Sequence, residues 1–274
     1  MGSVCVEVTV LDDRRLLDAL GSLGAQKRLP DRVLIAASTR TPEPLLDAAR
    51  QRFSACTLDI ARFGGGVVDA RAGAISLLRE DVTVFLDSDE RAPPDWLGRL
   101  VAPIEAGGAD FTGGPTRPVR PPENSIERYY ALLEESIYRD LVPRRITYIP
   151  LQNTAWRTPL LRSLGFDPRI PFAEDHDLET RAARSGARGL FVPDAFVLHD
   201  RSDETSFLRW ARKRYRYLVA MGMSLIKNGE LRQRLEEKRT PVRHPLRYIE
   251  SAMKPIALVD ATLRWRRRRA ISSG

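Results

Sequence analysis

Cysteine is scarce in this chain. Cys5 and Cys56 are the only two among 274 residues, which is too few for the disulfide framework of a small secreted protein. The first residues, Met1 to Val4, also lack the basic region and apolar core of a secretory signal peptide. These absences argue against a disulfide-stapled scaffold and lead us to expect a reducing, cytoplasmic setting.

Acidic residues are sparse in the C-terminal part of the chain. Residues 201–274 hold 19 Lys and Arg against 7 Asp and Glu, whereas residues 1–200 hold 25 against 29. The net charge of +8 therefore belongs to the C-terminal part. Because the composition changes just after His199 and Asp200, we predict a core domain over residues 1–200 and a basic helical extension over residues 201–274.

Predicted strands and helices alternate along the core domain. The predicted strands are Val4 to Leu11, Arg32 to Ala37, Val82 to Leu86 and Ala195 to Leu198. The predicted helices are Leu16 to Leu23, Pro44 to Phe53, residues 67–79, Trp96 to Ala106 and Asp175 to Ser185. This alternation predicts the α/β class, with a Rossmann-like, mostly parallel sheet flanked by helices.

Two acidic stretches are candidates for chemistry, Asp87-Ser88-Asp89 and Glu174-Asp175-His176-Asp177. The first follows the apolar run Val82 to Leu86, so its carboxylates lie at the carboxyl end of a strand, where open α/β sheets bind ligands. Oxygen ligands of this kind suit Mg²⁺ or Mn²⁺. The alternative is a surface turn, because Asp and Ser favour turns and Ala92-Pro93-Pro94 follows.

The second stretch lies at the start of the predicted helix Asp175 to Ser185, which Gly186 ends. The positive end of the helix dipole stabilises carboxylates in a first turn, so a capping role is one interpretation. Capping needs only one carboxylate, however, and the same dipole would keep Asp175 ionised as a proton acceptor. We interpret His176 as an exposed helix residue.

The surroundings of the second stretch resemble a known family. The chain reads Tyr148-Ile149-Pro150-Leu151-Gln152-Asn153-Thr154-Ala155-Trp156-Arg157, then Leu164-Gly165-Phe166-Asp167, Glu174-Asp175-His176-Asp177-Leu178, and Val192 to His199. This order and spacing resemble the inverting glycosyltransferases of family 2, which have the GT-A fold. The resemblance covers residues 4–200 and is most specific from Asn153 to His199.

The resemblance implies a metal-dependent active site. Mn²⁺ or Mg²⁺ would be held mainly by Asp89, with Asp87 and His199 as further ligands, and would stabilise the departing diphosphate. Without the family, His199 would be interpreted as an ordinary hydrogen-bonded residue at a strand end. Asp175 would take the proton from the acceptor hydroxyl. The residues expected to bind the sugar or the acceptor are Asn153, Arg157 and Glu174.

The nucleotide side of the site departs from the family pattern. The second strand, Leu34 to Arg40, lacks the usual carboxylate at its end, and Ala72 replaces the Asn of the family's Ala-Arg-Asn-x-Gly segment. Arg71 is retained, and its permanent charge and fork of donors suit a diphosphate. Asp12 equally fits the start of the next helix. The residues expected around the donor are Asp12, Ser38, Asp69, Arg71, Asp87 and Ser88.

The basic extension has helical periodicity. Apolar residues recur at helical spacing from Thr205 to Lys227 and again from Ile249 to Trp265, and neither segment has the roughly 20 apolar residues of a membrane span. Basic amphipathic helices bind anionic membrane surfaces, which favours a peripheral position of residues 205–269 on the inner face of the cell membrane. The alternative is that these helices pack on the core. No nucleic-acid motif accompanies the charge, so no nucleic acid is expected.

We therefore expect an inverting, metal-dependent glycosyltransferase of the hexosyltransferase type. Its donor would be a nucleotide-diphosphate sugar, and its acceptor a hydroxyl of a growing glycan or of a lipid-linked carrier. Two alternatives stay open. One is a nucleotidyltransferase with a GT-A-like sheet, which would not need Asp175 as a base. The other is a non-catalytic module that binds a membrane or a protein partner.

Overall fold

The computed structural model describes residues 2–138, 144–146, 149–232 and 242–272 of the chain. Three parts of the sequence-based predictions lie outside the described residues. They are Tyr148 of the family-like block, residues 233–241 of the basic extension, and the side chain of Arg269.

The described strands form two sheets. In chain order they are β1 (Val4–Val10), β2 (Arg32–Ser38), β3 (Thr57–Phe63), β4 (Val82–Asp87), β5 (Glu90–Arg91), β6 (Phe111–Gly113), β7 (Thr116–Pro118), β8 (Arg144–Ile146), β9 (Asn153–Arg157), β10 (Gly189–Phe191) and β11 (Val197–His199). The central sheet has the order β3-β2-β1-β4-β9-β6-β10-β8, and the small sheet has the order β5-β11-β7. Strands β3, β2, β1 and β4 are parallel, whereas β9 is antiparallel to β4 and β6. The mostly parallel sheet is thus confirmed.

Helices cover both faces of the central sheet. In chain order they are α1 (Leu16–Gly24), α2 (Glu43–Arg52), α3 (Val67–Ile75), α4 (Trp96–Glu105), α5 (Ser125–Tyr138), α6 (Thr158–Leu164), α7 (Glu174–Arg184), α8 (Phe207–Lys227) and α9 (Pro245–Ser272). Side chains of α1, α2 and α4 pack on one face, and those of α3, α6 and α7 pack on the other. This is the α/β layering that the alternating pattern predicted.

The middle strands are apolar because helices cover them on both sides. Every residue of β1 and β2 is buried, as expected for strands inside a parallel sheet. Successive side chains point to opposite faces, so Val6 and Val8 belong to one core cluster and Cys5 to the other. The carboxyl ends of β1, β2 and β4 meet at one edge of the sheet.

Several elements were not predicted from the sequence, among them β3, α5 and β9. Strand β3 forms an edge of the central sheet and is only half-buried, with Asp59 and Arg62 in its sequence, so it lacks a continuous apolar run. Strand β9 has polar residues at both ends around the buried Ala155 and Trp156. Its pairing between β4 and β6 depends on tertiary contacts that local periodicity does not report.

The basic extension packs on the core. Helices α8 and α9 contact each other, and their shared apolar cluster includes Ile170 and Ala173, which precede α7. Trp210 of α8 is fully buried beside Tyr129 of α5. None of the helices among the described residues combines the length and the apolar content of a membrane span. The boundary after residue 200 stays a prediction.

Candidate active site

The end of β4 brings the first acidic stretch to the carboxyl edge of the sheet. Asp87 is the last residue of β4, and Ser88 and Asp89 form the turn into β5. Strand β5 pairs with β11, so Glu90 lies opposite His199. This pairing places the Asp89 carboxylate beside the imidazole, with 3.1 Å between Asp89 Oδ2 and His199 Nε2.

Positive charge around Asp89 stabilises its ionised form. Burial raises the pKa of the Asp89 carboxyl, but the His199 imidazole and the Arg15 and Arg201 guanidiniums outweigh burial and lower that pKa well below its usual range. Arg15 Nη2 lies 3.9 Å from Asp89 Oδ2 and 2.7 Å from a carboxylate oxygen of Asp13. Asp89 is therefore a carboxylate at neutral pH.

Asp89 and His199 fit a divalent cation. Carboxylate oxygen and imidazole nitrogen bind Mn²⁺, and their 3.1 Å separation is close to the roughly 3 Å between adjacent ligands of an octahedral ion with bonds of about 2.1 Å. No group of three or more His, Cys, Asp or Glu side chains forms a complete cage within the part of the chain that the structure describes. Mg²⁺ is commonly bound by one or two carboxylates together with substrate phosphates, so two protein ligands are sufficient.

Glu90 supports the histidine of this pair. His199 Nδ1 lies 3.4 Å from Glu90 Oε1, and both atoms are buried without a hydrogen-bond partner among the described residues. Burial and the charges of Asp87 and Asp89 raise the pKa of Glu90 well above its usual range, and a carboxyl oxygen next to the second ring nitrogen can orient a metal-binding histidine. Glu90 was not identified from the sequence, although it directly follows Asp89.

Arg71 connects the two acidic stretches. It lies on α3 and is buried, and its guanidinium donates to Glu174 Oε1 at 2.7 Å and to Asp87 Oδ1. Asp87, which we expected to support a metal, is therefore paired with Arg71, whereas Asp89 is paired with His199. Burial raises the pKa of Asp87, and the Arg71 charge opposes that rise. One guanidinium thus joins the end of β4 to the start of α7.

The second acidic stretch forms the first turn of α7, as the sequence predicts. Glu174 is buried, and Asp175 is half-buried and accepts the backbone N–H of His176 at 2.7 Å through Oδ1. Gly186 follows the helix with a φ of +82°, the left-handed conformation that glycine adopts after helices. The positive end of the α7 dipole favours ionised carboxylates at this turn.

Glu179 lies one helical turn beyond Asp175 and was missed in the sequence. Its Oε2 accepts the backbone N–H of Ile149 at 2.5 Å, while its buried Oε1 has no hydrogen-bond partner among the described residues. Burial and the charge of Asp175 raise the pKa of Glu179 well above its usual range. Both effects favour the protonated form of Glu179, which lies one turn from Asp175.

Glu7 is a third acid near Arg71, and it is buried. It lies in the middle of β1 and accepts the Thr9 hydroxyl at 2.7 Å. Burial raises the pKa of Glu7 to about 7, and the charge of Arg71 opposes that rise. The signal was visible in the sequence, because Glu7 is the only charged residue in Val4–Val10. Arg71 is thus stabilised by Asp87, Glu174 and Glu7.

The residues expected around the donor divide into two groups. Ser38 is buried at the end of β2 and Asp12 is exposed just beyond β1. Both lie at the same edge of the sheet as Asp87, because β1 adjoins β2 and β4 in register. Asp69 differs: its Oδ2 accepts the backbone N–H of Gly66 at 2.8 Å, so Asp69 caps α3.

Asn153 does not have the place expected for a sugar or acceptor contact. It is buried, and its amide oxygen accepts from Trp96 Nε1 at 2.8 Å. Its amide nitrogen donates to the carbonyls of Pro115 and Ala195 at 3.1 and 2.9 Å. The side chain therefore joins β9 to the neighbouring loops, and both of its donor hydrogens are used within the protein.

Arg157 also differs from its expected place. It pairs with Val82 in the β4–β9 register, so it lies at the opposite edge of the sheet from Asp87. There it donates to the carbonyl of Ile104 at 2.9 Å. The family-like spacing placed Arg157 near the acceptor, but spacing alone does not report that β9 runs antiparallel to β4.

Helix α8 of the basic extension packs against α7. His176, interpreted from the sequence as exposed, is buried, and its Nδ1 lies 3.0 Å from Ser224 Oγ of α8. Lys227 Nζ of α8 lies 2.7 Å from Asp177 Oδ1. Helix α8 therefore fixes the position of the helix that carries Asp175.

Known proteins resemble this chain in sequence. The model of glycosyl transferase family 2 matches residues 11–164. Two curated relatives from Mycobacterium tuberculosis, strains CDC 1551 / Oshkosh and ATCC 25618 / H37Rv, are named pre-mycofactocin glycosyltransferase, and each is 29% identical over 157 residues. The match covers 55% of this chain and 33% of each relative, so the chain spans about a third of the length of these relatives.

Solved structures share the fold. Mannosyltransferase PcManGT from Pyrobaculum calidifontis, in complex with GDP-Man and Mn²⁺, has a TM-score of 0.64 at 19% identity, over 100% of this chain and 76% of that one. S. aureus TarS 1–349 in complex with UDP has a TM-score of 0.59 at 16% identity, over 98% and 92%. At such identities the likeness shows the fold alone, and it confirms the predicted GT-A class.

Proposed function

The chain belongs to glycosyl transferase family 2, which makes it a glycosyltransferase by family, and we propose that it transfers a sugar from a nucleotide-diphosphate donor to a hydroxyl with inversion at the anomeric carbon. The reaction we propose depends on Mn²⁺ or Mg²⁺. Its site would lie at the carboxyl edge of β4, where the first acidic stretch meets α7.

The contacts of Arg71 carry this proposal. They bring Asp87 and Glu174 to one guanidinium, so Asp89, two residues after Asp87, and Asp175, next to Glu174, belong to one region of the surface. An inverting transfer needs two functions in one cleft: stabilisation of the leaving group and removal of a proton from the acceptor. The two acidic stretches provide a candidate for each.

Asp89 and His199 are the residues that would hold the cation. When bound, the cation stabilises the negative charge that grows on the diphosphate as the bond from sugar C1 to phosphate oxygen breaks. Asp89 needs no deprotonation to bind it, because its pKa lies below its usual range. Arg71 already neutralises two carboxylates, so we assign it the positioning of Asp87 and Glu174.

Asp175 is the proposed base. The α7 dipole favours its ionised form, whereas the raised pKa of Glu179 favours the protonated form of that neighbouring carboxyl. Asp175 would take that proton while the acceptor oxygen bonds to C1 on the face opposite the leaving diphosphate. One displacement of this kind inverts the anomeric centre.

The donor and the acceptor are proposed as classes. The solved neighbours were obtained with GDP-Man, UDP and UDP-GlcNAc, which favours a nucleotide-diphosphate sugar here. Asp12, Ser38 and Ser88 lie at the edge of the sheet where such a donor would bind. For the acceptor we propose a hydroxyl of a growing glycan or a lipid-linked carrier, reached from the cytoplasmic face of a membrane.

A thermal-shift panel tests the donor class. Ligands that bind only the folded state raise its melting temperature by mass action. We expect one nucleoside diphosphate and its sugar conjugate to raise the Tm of the full chain only with Mn²⁺ or Mg²⁺. The shift should be lost in Asp89→Ala and kept in Asp47→Ala, whose exposed carboxylate pairs with Arg50. Absence of a shift with every nucleotide sugar and both cations would contradict the proposal.

A further inference from the structure

Helix α9 exposes a row of large apolar side chains. Tyr248, Ile256, Val259 and Leu263 have exposed fractions of 71, 65, 62 and 51%. Their spacings of three, four and eight residues put them on one face of the helix, because a turn contains 3.6 residues. We call these four residues the outer row.

The opposite face of α9 is already packed. Ala257, Ala261 and Trp265 are buried in the cluster that α9 shares with α8. A helix that is apolar all round is normally buried all round. The outer row is therefore apolar surface beyond what packing on α8 uses, and an exposed apolar face of this kind marks an interaction site.

Basic residues outnumber acidic ones in and just before α9. From Arg243 to Arg268 the sequence has seven Lys and Arg and two acids, Glu250 and Asp260. Glu250 is buried, and Asp260 accepts a hydrogen bond from the arginine one turn later at 2.7 Å. Arg266 and Arg267 are exposed just beyond Leu263. An occupant of this face would therefore carry negative charge.

We propose that the outer row lies on an anionic lipid bilayer, with its four apolar side chains at the headgroup boundary and Arg266 and Arg267 at lipid phosphates. An apolar face with arginines at its edge is typical of helices that lie in this interface. A second copy of this chain is a poorer occupant, because it would bring the same positive charge to the contact.

Helix α8 contributes little to this surface. Val219, Ala220 and Met223 are buried against α9 and the segment before α7. Phe207 and Leu208, at the start of α8, are the large apolar side chains that it exposes. The helical periodicity of α8 therefore serves packing, whereas that of α9 serves both packing and the outer row.

This inference deepens the proposed function and rests on it for its purpose. A membrane-bound face on α9 would hold the enzyme near a lipid-linked acceptor, and α8 connects that face to α7 through Ser224 and His176. Membrane binding itself needs neither donor nor catalysis, so it can be tested separately.

A tryptophan in the outer row tests the inference. The four native tryptophans are all buried, so Val259→Trp adds the one exposed indole among the described side chains. With vesicles of equal parts phosphatidylcholine and phosphatidylglycerol, its emission should move to shorter wavelength. The matched control is Leu77→Trp, at a 43% exposed apolar position outside α9, whose emission should stay unchanged.

A charge series tests the lipid class. Each of Arg266→Ala and Arg267→Ala should lower vesicle binding about fivefold, because a basic residue near an anionic surface contributes about 1 kcal/mol and 1.4 kcal/mol is tenfold. Three results would overturn the inference: no emission change, an equal change with pure phosphatidylcholine, or a change without vesicles that grows with protein concentration. The last result would identify a second copy as the occupant.

Flotation of the protein with the same anionic vesicles separates this inference from the proposed function. Asp175→Asn, which should be inactive, should still float with the anionic vesicles. Loss of flotation in Ile256→Asp, with nucleotide-dependent Tm shifts retained, would support the membrane face independently of catalysis. If wild-type protein fails to float but releases nucleoside diphosphate from a donor, the membrane inference alone is wrong.

Discussion

Asp87 and Glu174 bind the same guanidinium, that of Arg71, through different nitrogens. One carboxylate ends β4 and the other begins α7, so this shared partner fixes the distance between a strand of the sheet and a helix packed on it. Arg71 and Glu174 are both buried. The placement of the two acidic stretches therefore depends on a contact that water screens little.

Arg71→Met should destabilise the protein. It removes the one charge that compensates two carboxylates, and removing one partner of a buried ion pair costs about 3 to 5 kcal/mol. We expect a loss of about 3 kcal/mol in the free energy of unfolding, because Asp87 is a third exposed and can be partly solvated. Urea unfolding measures the change.

A surface arginine provides the comparison for Arg71. Arg99 is 48% exposed and pairs with Asp95, so Arg99→Met should change the free energy of unfolding by about 1 kcal/mol or less. Adding Glu174→Gln to Arg71→Met should recover part of the loss. If Arg71→Met and Arg99→Met are equally stable, then Arg71 does not fix the placement of the two acidic stretches.

Glu7→Gln should stabilise the protein as the pH rises. The carboxyl has an ordinary pKa of 4.5 and a folded-state pKa of about 7. Below pH 4.5 the carboxyl is protonated in both the folded and the unfolded state, so the variant is no more stable than wild type. Between these values the unfolded state ionises first, so wild type loses stability, by about 3 kcal/mol above pH 7. The measurement is the free energy of unfolding as a function of pH.

The sign of the stability change in Glu7→Gln shows whether burial or the charge of Arg71 dominates at Glu7. Glu135→Gln removes an exposed carboxylate of α5 and should show no comparable dependence on pH. If Glu7→Gln is less stable than wild type near neutral pH, then the ionised Glu7 stabilises Arg71 by more than its burial costs.

Glu90→Gln should weaken Mn²⁺ binding about tenfold without unfolding the protein. Groups that orient a metal-binding histidine typically contribute ten- to hundredfold in affinity, and Glu90 Oε1 lies 3.4 Å from His199 Nδ1. Asp89→Ala should abolish the binding. Titration of each variant with Mn²⁺, followed by calorimetry, checks both expectations, with Asp47→Ala as the unaffected control. Unchanged affinity for Mn²⁺ in Asp89→Ala would show that the metal binds at another site.

Gly222→Val should destabilise the packing of α8 on α9. A Cβ at Gly222 would lie 2.8 Å from the Cβ of Ala261, so a larger side chain must separate the helices, at a cost of about 1 to 3 kcal/mol. Gly21→Val, in α1 with no atom within 4 Å of the added Cβ, should change stability by less than about 0.5 kcal/mol. Similar results for both variants would contradict the close packing.

The sequence predicted those features that local pattern determines. Continuous apolar runs located β1, β2 and β4, and the abrupt change to Asp87 at the end of β4 located the edge of the site. The helix at Asp175 followed from its acidic first turn and Gly186. These signals are local, because burial on both faces and helix termination each select residue types within a few positions.

Register and burial explain what the sequence did not predict. Arg157 lies at the far edge because β9 runs antiparallel to β4, and Asn153 is enclosed by loops that no local pattern brings together. His176 was misjudged because its partner, Ser224, is supplied by α8. Helical periodicity in the extension located α9 but not which of its two apolar faces would pack on α8.

The rate of sugar transfer from the donor that the thermal-shift panel identifies, compared among wild type, Asp89→Ala and Asp175→Asn in Mn²⁺, tests the account most directly. Loss of the cation site should cost about 3 kcal/mol in the transition state, roughly hundredfold in rate, and loss of the base should cost roughly 10²- to 10⁴-fold. We predict that both variants remain folded and lose activity on that scale. Wild-type turnover by either variant would contradict the claim that the two acidic stretches serve one reaction.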